Sequence, residues 1–215
     1  MIDLYTWATP NGKKISIALE ELALPYRVHK IDISRGDQHT PEFTRLNPNQ
    51  KIPVIVDSDT GLTLMESGAI LLYLANKTGK LIPGDSEAYW GVIQWLMWQK
   101  AGFGPMLGQA NHFIKFNPGK SEYSEERYGK ETARLYGVLD RQLADGGYIV
   151  GSEYSIADIA AWPWTARHGF HGIDLNQFPN VLAWYLKVAA RPAVKAGWAV
   201  PIPQEVPLPP GEDDD

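Results

Sequence analysis

Lys51-Ile52-Pro53-Val54-Ile55-Val56-Asp57, followed at residues 66–70 by Glu-Ser-Gly-Ala-Ile, is the stretch that decides the fold of this chain. The apolar run from Ile52 to Val56 has the composition of a buried strand, but Pro53 cannot donate a hydrogen bond to a strand ladder. Proline is tolerated at the first residue of a strand, and a turn there could hold the Ile52–Pro53 bond cis. The backbone groups of Ile52 then remain available to a ligand's peptide group.

The second part of this stretch predicts a site for charged groups. A strand at Leu62–Met65 gives way to a helix at Ser67–Thr78, which Ser67 can cap, and the N–H groups of a helix N-terminus favour an anion. Glu66 offers a carboxylate to an ammonium group. One small site would thus hold groups that bind a peptide backbone, a carboxylate and an ammonium group. This combination matches glutathione, a γ-glutamyl tripeptide.

The predicted elements divide the chain into two domains, a linker and a tail. Residues 1–80 follow the order β-α-β-α-β-β-α, which is that of a thioredoxin-like fold. Residues 81–85 are predicted as a linker, residues 86–200 as an all-helical domain, and residues 201–215 as a Pro-rich, acidic, disordered tail. The predicted elements of the first domain are Ile2–Tyr5, Lys13–Leu22, Tyr26–Ile31, Pro41–Leu46, Val54–Val56, Leu62–Met65 and the helix from Ser67.

Three long helical segments are predicted in the second domain, at residues 86–103, 122–144 and 179–190. Ser155-Ile156-Ala157-Asp158 has the pattern of a capping box, in which Ser155 caps a helix and Asp158 bonds back to the Ser155 N–H. We assign Ser155 and Asp158 to folding, because this arrangement is complete without a ligand.

Two longer segments resemble a known family. Residues 51–57 (KIPVIVD) and 66–75 (ESGAILLYLA) resemble the glutathione-binding half of a glutathione transferase, and the resemblance extends from Met1 to about Gly197. Residues 1–13 and Gly-Pro-Met-Leu-Gly-Gln at 104–109 resemble the bacterial Nu-class enzymes, which act as glutathione-dependent disulfide-bond oxidoreductases. The resemblance implies an α/β plus all-α architecture, in which a thioredoxin-like domain is followed by a transferase-type helical domain. It also implies glutathione as co-substrate and a homodimer.

The composition limits the chemistry and the partners. The sequence contains no cysteine, which excludes structural disulfides, a Cys-X-X-Cys pair and a cysteine nucleophile, so the ligand must supply any thiol. The net charge is −5, and residues 201–215 carry five acids and no Lys or Arg, which leaves residues 1–200 neutral and argues against nucleic acid. With no apolar stretch long enough for a membrane span and no signal-peptide pattern, a cytoplasmic protein is expected.

The loop Trp7–Gly12 is the predicted thiol site. Thr9 can donate its hydroxyl and Asn11 its amide N–H to a sulfur, and the resemblance places these two residues where other transferases use Tyr, Ser or Cys. The alternative for Asn11 is the N-cap of the first helix. Tyr5, within the first strand, is expected to serve packing, and Ser16, within the first helix, is expected to have a structural role.

The remaining glutathione contacts are implied by the resemblance. Glu66 would bind the γ-glutamyl ammonium group, Ser67 its carboxylate, and the Ile52 backbone the cysteinyl part, with Pro53 in a structural role. Gln38 and Lys51 would bind the glycyl end. Arg127 matches an arginine that reaches glutathione, across a dimer interface if there is one, and its alternative is a solvated helix charge.

A second-substrate pocket is predicted in one stretch that opens with Gly102 and Gly104, since glycines let backbone approach a ligand. His112 would act as a general acid for a leaving thiol or would be structural. No spacing of His, Asp or Glu indicates a metal site, and no phosphate-binding glycine motif occurs. The predicted pocket residues are Phe103, Met106, Gln109, Asn111, His112 and Phe113.

Three functions compete at this point. The first is reduction of a small-molecule disulfide by glutathione, and the second is conjugation of glutathione to an electrophile. The third is a non-enzymatic glutathione-binding or partner-docking protein, which the acidic tail leaves open. The sequence does not identify the physiological second substrate, the number of glutathione molecules in a site or the role of the tail.

Overall fold

The computed structural model describes residues 1–84 and 86–209, which form two compact units. The first unit comprises Met1–Ile82 and Ala190–Val206, and the described residues of the second are 83–84, 86–189 and 207–209. The predicted domain boundaries keep residues 86–200 together, whereas the structure groups residues 190–206 with the first unit.

A four-stranded mixed sheet forms the centre of the first unit. Strand β1 (Ile2–Thr6) pairs in parallel with β2 (Tyr26–Lys30) and antiparallel with β3 (Val54–Asp57), which pairs antiparallel with β4 (Leu62–Met65). Alternation along β1 buries its even-numbered residues, as expected for a strand with one face in a core. The helices of this unit are α1 (Pro10–Glu21), α2 (Pro41–Leu46), α3 (Ser67–Thr78) and α9 (Pro192–Trp198). This arrangement confirms the predicted thioredoxin-like fold.

The first helix starts earlier than predicted. Helix α1 begins at Pro10 rather than at Lys13, because Pro10 is suited to a first helical position and Thr9 caps the helix through its side chain. Asn11 is therefore the second helical residue, and its predicted alternative as N-cap is wrong. Ser16 is buried, and its hydroxyl donates to the carbonyls of Lys13 and Gly197, which supports the structural role expected for it.

The second unit is helical throughout its regular elements. The helices are α4 (Glu87–Trp98), α5 (Gly104–Ala110), α6 (Glu122–Gln142), α7 (Ile156–Thr165) and α8 (Pro179–Ala189). Two π-helical turns, Gln99–Phe103 and Asn111–Phe116, flank α5, so that α4 to Phe116 is almost continuous helix. No local sequence pattern indicates these π turns, which occur frequently near functional sites.

The predicted capping box is present at the start of α7. Ser155 Oγ accepts from the Ala157 N–H at 3.2 Å, and Asp158 Oδ2 accepts from the Ser155 N–H at 3.0 Å. The other oxygen of this buried carboxylate accepts from Ile149 N and Trp184 Nε1, each at 2.9 Å. Asp158 therefore joins the start of α7 to the preceding loop and to α8.

The tryptophans of α4 are divided between core and surface. Trp98 stacks on Phe103 at 4.9 Å between ring centroids, and Phe103 is packed in turn against Tyr136 at 5.5 Å. Trp90, in contrast, is 64% exposed. The tryptophans of α4 thus contribute to the core at one end of the helix and to an exposed aromatic surface at the other.

His171 makes the stability of the helical unit sensitive to acid. Its ring is buried beside Tyr136, and desolvation, helped by the positive charges of His168 and Arg167, lowers its pKa to about 3. The folded protein keeps this imidazole neutral, whereas the unfolded chain binds a proton below about pH 6.5. Stability contributed by His171 is present above pH 6.5 and is lost as the pH falls toward 3.

We expect His171→Phe to weaken this acid dependence. Urea unfolding at pH 7.0 and 4.5 should show a loss on acidification that is about 2–3 kcal/mol smaller than in the unaltered protein, since each pKa unit corresponds to about 1.4 kcal/mol. The exposed His112 provides the matched control, and His112→Phe should leave the acid dependence unchanged. Equal losses in the protein and in His171→Phe would contradict the prediction.

Part of the predicted tail lies in contact with the protein. Residues 201–209 contain no helix or strand, but Pro201 and Pro209 are buried and the Tyr185 hydroxyl donates to the carbonyl of Pro207. Residues 210–215, for which disorder was also predicted, lie outside the described residues.

Candidate active site

The loop between β1 and α1 places two polar side chains at a helix N-terminus. The Thr9 N–H donates to Trp7 O at 2.7 Å, and Thr9 Oγ1 accepts from the Gly12 N–H at 3.2 Å. Because this cap uses the hydroxyl as an acceptor, its proton can still be donated. Asn11 follows in the first turn and is half-buried. Helix N-termini carry partial positive charge, so this turn favours an anionic sulfur.

Gly12 is required by the shape of this loop. A Cβ at Gly12 would stand 2.5 Å from Thr6 Oγ1 and closer still to Trp7 O. No side chain fits at such a distance, so the end of β1 can fold back against the first turn of α1 only because residue 12 is glycine. The geometry of the predicted thiol site therefore depends on this residue, which sequence analysis had treated only as part of a turn.

The start of β3 has the predicted geometry. The Ile52–Pro53 bond is cis, Pro53 is buried and β3 begins directly afterwards at Val54. The buried Asn47 holds this turn from behind, because its Nδ2 donates to Lys51 O at 2.6 Å and its Oδ1 accepts from Asn49 N at 2.9 Å. Asn47 was missed, although the Asn-Pro pair at 47–48 is a recognised turn signal.

Glu66 and Ser67 lie at the start of α3, and Ser67 does not have the capping role predicted for it. Glu66 occupies the N-cap position with φ of 68°, and its side chain makes no capping hydrogen bond. Ser67 is the first helical residue and is buried, so the prediction that Ser67 caps the helix is wrong. A positive φ in a residue other than glycine is uncommon, and such backbone is found preferentially where a ligand is bound.

Gln38 is the most informative of the predicted glycyl-end residues. Its Oε1 is buried without a hydrogen-bond partner among the described residues, while its Nε2 lies 3.1 Å from His39 Nε2. A buried acceptor without a donor is costly, and a ligand N–H would satisfy it. Lys51, by contrast, is exposed on the outer side of the turn that precedes Pro53.

The six predicted pocket residues differ in their surroundings. Phe103 is completely buried in the aromatic core, which argues against contact with a substrate. Gln109 and His112 are exposed, Asn111 is half-buried, and Phe113 stacks on Tyr128 at 5.5 Å. Of these six, Met106 alone lines the cavity described next.

Gly104 and Gly108 serve helix packing, which corrects the role predicted for Gly104, whereas a Cβ at Gly102 would meet nothing within 4 Å. A Cβ at Gly104 would stand 2.7 Å from Gln99 Nε2 and 3.3 Å from Trp164 Nε1, and one at Gly108 would stand 3.3 Å from the Trp164 ring. Close approach therefore brings α5 against Trp164, and the space that these glycines provide is already filled by protein.

The helical unit contains a cavity of about 580 Å³ whose lining includes Met106 and Arg127. Four of the charged residues that line it are already paired with one another. Lys130 donates to Glu126, and Arg134 donates to Glu131 through two bonds of 2.7 Å. Arg127 is exposed and makes no ion pair with a described residue, so its guanidinium is available to an anion. The full lining is Met106, Tyr123, Glu126, Arg127, Tyr128, Lys130, Glu131 and Arg134.

Two family models match the chain over most of its length. The glutathione S-transferase N-terminal domain matches residues 1–76, and the glutathione S-transferase C-terminal domain matches residues 102–192. The chain belongs to the glutathione S-transferase family. The two matches confirm the resemblance, and the chain is an enzyme of that family.

Relatives and solved structures agree with this assignment. The chain is 49% identical to the disulfide-bond oxidoreductase YfcG of Escherichia coli K12, over 90% of this chain and 92% of YfcG. It is 39% identical to YghU of the same organism, also a disulfide-bond oxidoreductase, over 91% of this chain and 73% of YghU.

Two glutathione transferase crystal structures contain ligands. One, from Burkholderia graminis, has two glutathione molecules per subunit and matches with a TM-score of 0.88 and 45% identity, over 93% of this chain and 88% of that one. The other, from Pseudomonas putida, has one glutathione disulfide per subunit and a TM-score of 0.88 at 42% identity, over 93% and 91% of the two chains.

Two kinds of feature are absent from the described residues. Residues 1–84 and 86–209 contain no group of three or more His, Asp or Glu side chains arranged to hold a metal ion. In the same part of the chain, every helix is too short or too polar to cross a membrane.

Proposed function

We propose that this transferase reduces disulfides with bound glutathione as the attacking thiol. The observation that carries the proposal is the first turn of α1, where Thr9 and Asn11 offer donors to a sulfur in a protein that has no cysteine of its own. The relatives support the proposal, since YfcG and YghU are named disulfide-bond oxidoreductases and the Pseudomonas putida enzyme binds glutathione disulfide.

The first turn of α1 would act by ionising the thiol. A free thiol with a pKa near 8.5 is only a few per cent thiolate at pH 7, and a pKa lower by about two units makes thiolate the main form. Donors from Thr9 and Asn11 and the N-terminal field of α1 favour the charged sulfur. The protein thus supplies the electrostatics and glutathione supplies the nucleophile.

The reaction balances with two glutathione molecules. The first thiolate attacks one sulfur of the substrate disulfide, so that a mixed disulfide forms and the other sulfur leaves as a thiol after protonation. A second glutathione then attacks the mixed disulfide, releasing the second thiol and glutathione disulfide. The Burkholderia graminis structure, with two glutathione molecules per subunit, supports room for both in this family.

The rest of the first glutathione, whose thiolate attacks, would be held by the residues predicted for it. Glu66 would bind the ammonium group, Ser67 and the N-terminus of α3 the γ-glutamyl carboxylate, and the Ile52 backbone the cysteinyl amide. We propose Gln38 and Lys51 for the glycyl end, and Arg127 as an arginine that reaches glutathione, as the family resemblance implies. We also propose a Nu-class homodimer that works in the cytoplasm.

Paired turnover assays test this proposal. One assay couples reduction of 2-hydroxyethyl disulfide by glutathione to glutathione reductase and NADPH, and the other follows conjugation of glutathione to chlorodinitrobenzene. We expect the disulfide assay to be the faster one and Asn11→Ala to lower its kcat about 100-fold, as for loss of a donor to a developing anion.

The matched control is Asn176→Ala, which removes an exposed asparagine outside the proposed site. Its turnover should equal that of the unaltered protein. Fast conjugation with weak disulfide turnover would favour the transferase alternative, which uses the same thiolate on a carbon centre. Absence of disulfide turnover between pH 6 and 8 would remove the proposal.

A further inference from the structure

One face of α1 is bound along its length by the C-terminal helix α9. Residues 13, 16, 17 and 21 of α1 recur at the three- and four-residue spacing of a single helix face. Ser16 donates to Gly197 O at 2.7 Å, and Glu21 pairs with Arg191 through two bonds of 2.6 and 2.8 Å. Between them, a Cβ at Gly197 would stand 2.5 Å from the Ile17 backbone, so the two helices are in backbone contact.

Lys13 is the contact nearest the thiol loop. Its side chain is 1% exposed, and its ammonium donates to Trp198 O and, at 2.7 Å, to Val200 O. The same ammonium lies 5.2 Å from the centroid of the Trp198 ring. Carbonyls at a helix C-terminus carry partial negative charge and aromatic faces attract cations, so this environment is suited to a buried positive charge.

The backbone of Lys13 bonds the thiol loop directly. Its N–H donates to Thr9 O at 2.9 Å, which is the bond that closes the first turn of α1 around Asn11. Lys13 is therefore bonded to Thr9 through its main chain and to the end of α9 through its side chain. Displacement of either end would be transmitted to the other through a single residue.

We propose that Lys13 is a positioning residue for the thiol of bound glutathione, because it ties the Thr9 end of α1 to the carbonyl oxygens that end α9. The inference rests on the proposed function, since it assigns a role within the same glutathione site. Lys13 does not contact the sulfur. It acts indirectly, through the positions of Thr9 and Asn11 and through the position of its own ammonium charge. Loss of the tie should leave the ligand's peptide contacts at Ile52 and Glu66 intact and make the thiol harder to ionise.

The test measures the ionisation of the bound thiol. The full-length protein is saturated with glutathione, thiolate absorbance near 240 nm is followed between pH 5 and 9, and the glutathione Kd is measured by calorimetry. We expect Lys13→Met to raise the pKa of the bound thiol by about one unit, with a Kd within about threefold of the unaltered value. Lys13→Arg, which keeps the charge and the donors, should restore most of the shift.

A second variant reaches the same tie from the other side. Gly197→Ala must move α9 away from the Ile17 backbone without altering Lys13 itself, and should raise the thiol pKa in the same direction. It also keeps the proposal testable if Lys13→Met does not fold. The matched control, Lys195→Met, removes an exposed lysine of α9 and should leave the thiol pKa unchanged.

The outcomes separate this inference from the proposed function. If the unaltered protein fails to bind glutathione by calorimetry, the proposed function fails and the inference with it. If the unaltered protein binds glutathione and shows a lowered thiol pKa, but folded Lys13→Met or Gly197→Ala shows the same value, the inference is overturned while the proposed function stands.

Discussion

Gly12→Ala is expected to lower glutathione-dependent disulfide turnover by about 100-fold or more. The new Cβ would stand 2.5 Å from Thr6 Oγ1 and closer to Trp7 O, so the loop must move away from the first turn of α1. That displacement also moves the Gly12 N–H, which holds the Thr9 side chain. A misplacement of about 1 Å at a reacting centre is enough for a loss of this size.

The control for Gly12→Ala is the same substitution where space is open. A Cβ at Gly169 would meet nothing within 4 Å, so Gly169→Ala should retain full turnover. Thermal melting of both variants shows whether Gly12→Ala has lost its site or its fold, and we expect a folded protein with a lower Tm. Turnover within threefold of the unaltered protein would show that the β1–α1 loop does not set the thiol site.

Asp158→Ala is expected to destabilise the protein by about 4 kcal/mol or more. The carboxylate is fully buried and accepts four hydrogen bonds, from the Ser155 N–H and hydroxyl, the Ile149 N–H and the Trp184 indole. Removing it leaves these donors buried without an acceptor, and each such group costs about 1–3 kcal/mol. Burial raises the pKa of this carboxyl, while the surrounding donors oppose that shift.

Chemical unfolding of Asp158→Ala and Ser155→Ala provides the comparison. Ser155→Ala removes the cap on the Ala157 N–H and one donor to Asp158, and should cost only about 1 kcal/mol. We expect both proteins to bind glutathione when folded, because the box belongs to folding. A cost for Asp158→Ala close to that for Ser155→Ala would mean that the bonds to Ile149 and Trp184 contribute little.

The features that could be predicted from the sequence are those set by neighbours along the chain. The capping box at Ser155 and the helix Pro41–Leu46 each depend on bonds that span two to four residues. The strand start at Pro53 follows from the chemistry of proline itself. The thioredoxin-like order of elements then follows from the alternation of such local patterns.

The features that could not be predicted depend on contacts between distant residues. Lys13 looks like a solvated charge in the sequence, and its burial depends on partners far along the chain, among them the carbonyls of Trp198 and Val200 and the Trp198 ring. Phe103 looks like a pocket residue until Trp98 and Tyr136 close over it.

Backbone geometry at the site also lay beyond the sequence. A glutamate is not a residue type that favours positive φ, so nothing local indicates the N-cap conformation of Glu66. The glutathione contacts assigned to individual residues stay predictions, because they depend on a ligand as well as on the chain.

The grouping of residues 190–206 with the first unit has a consequence for how the protein is made. During synthesis the thioredoxin-like part leaves the ribosome first, yet the buried Lys13 has no acceptors at the end of α9 until about 190 further residues have followed. This face of α1 in the nascent domain therefore stays uncovered while the helical domain is being synthesised. The first unit can therefore complete its packing only after the C-terminal residues of the chain have been translated.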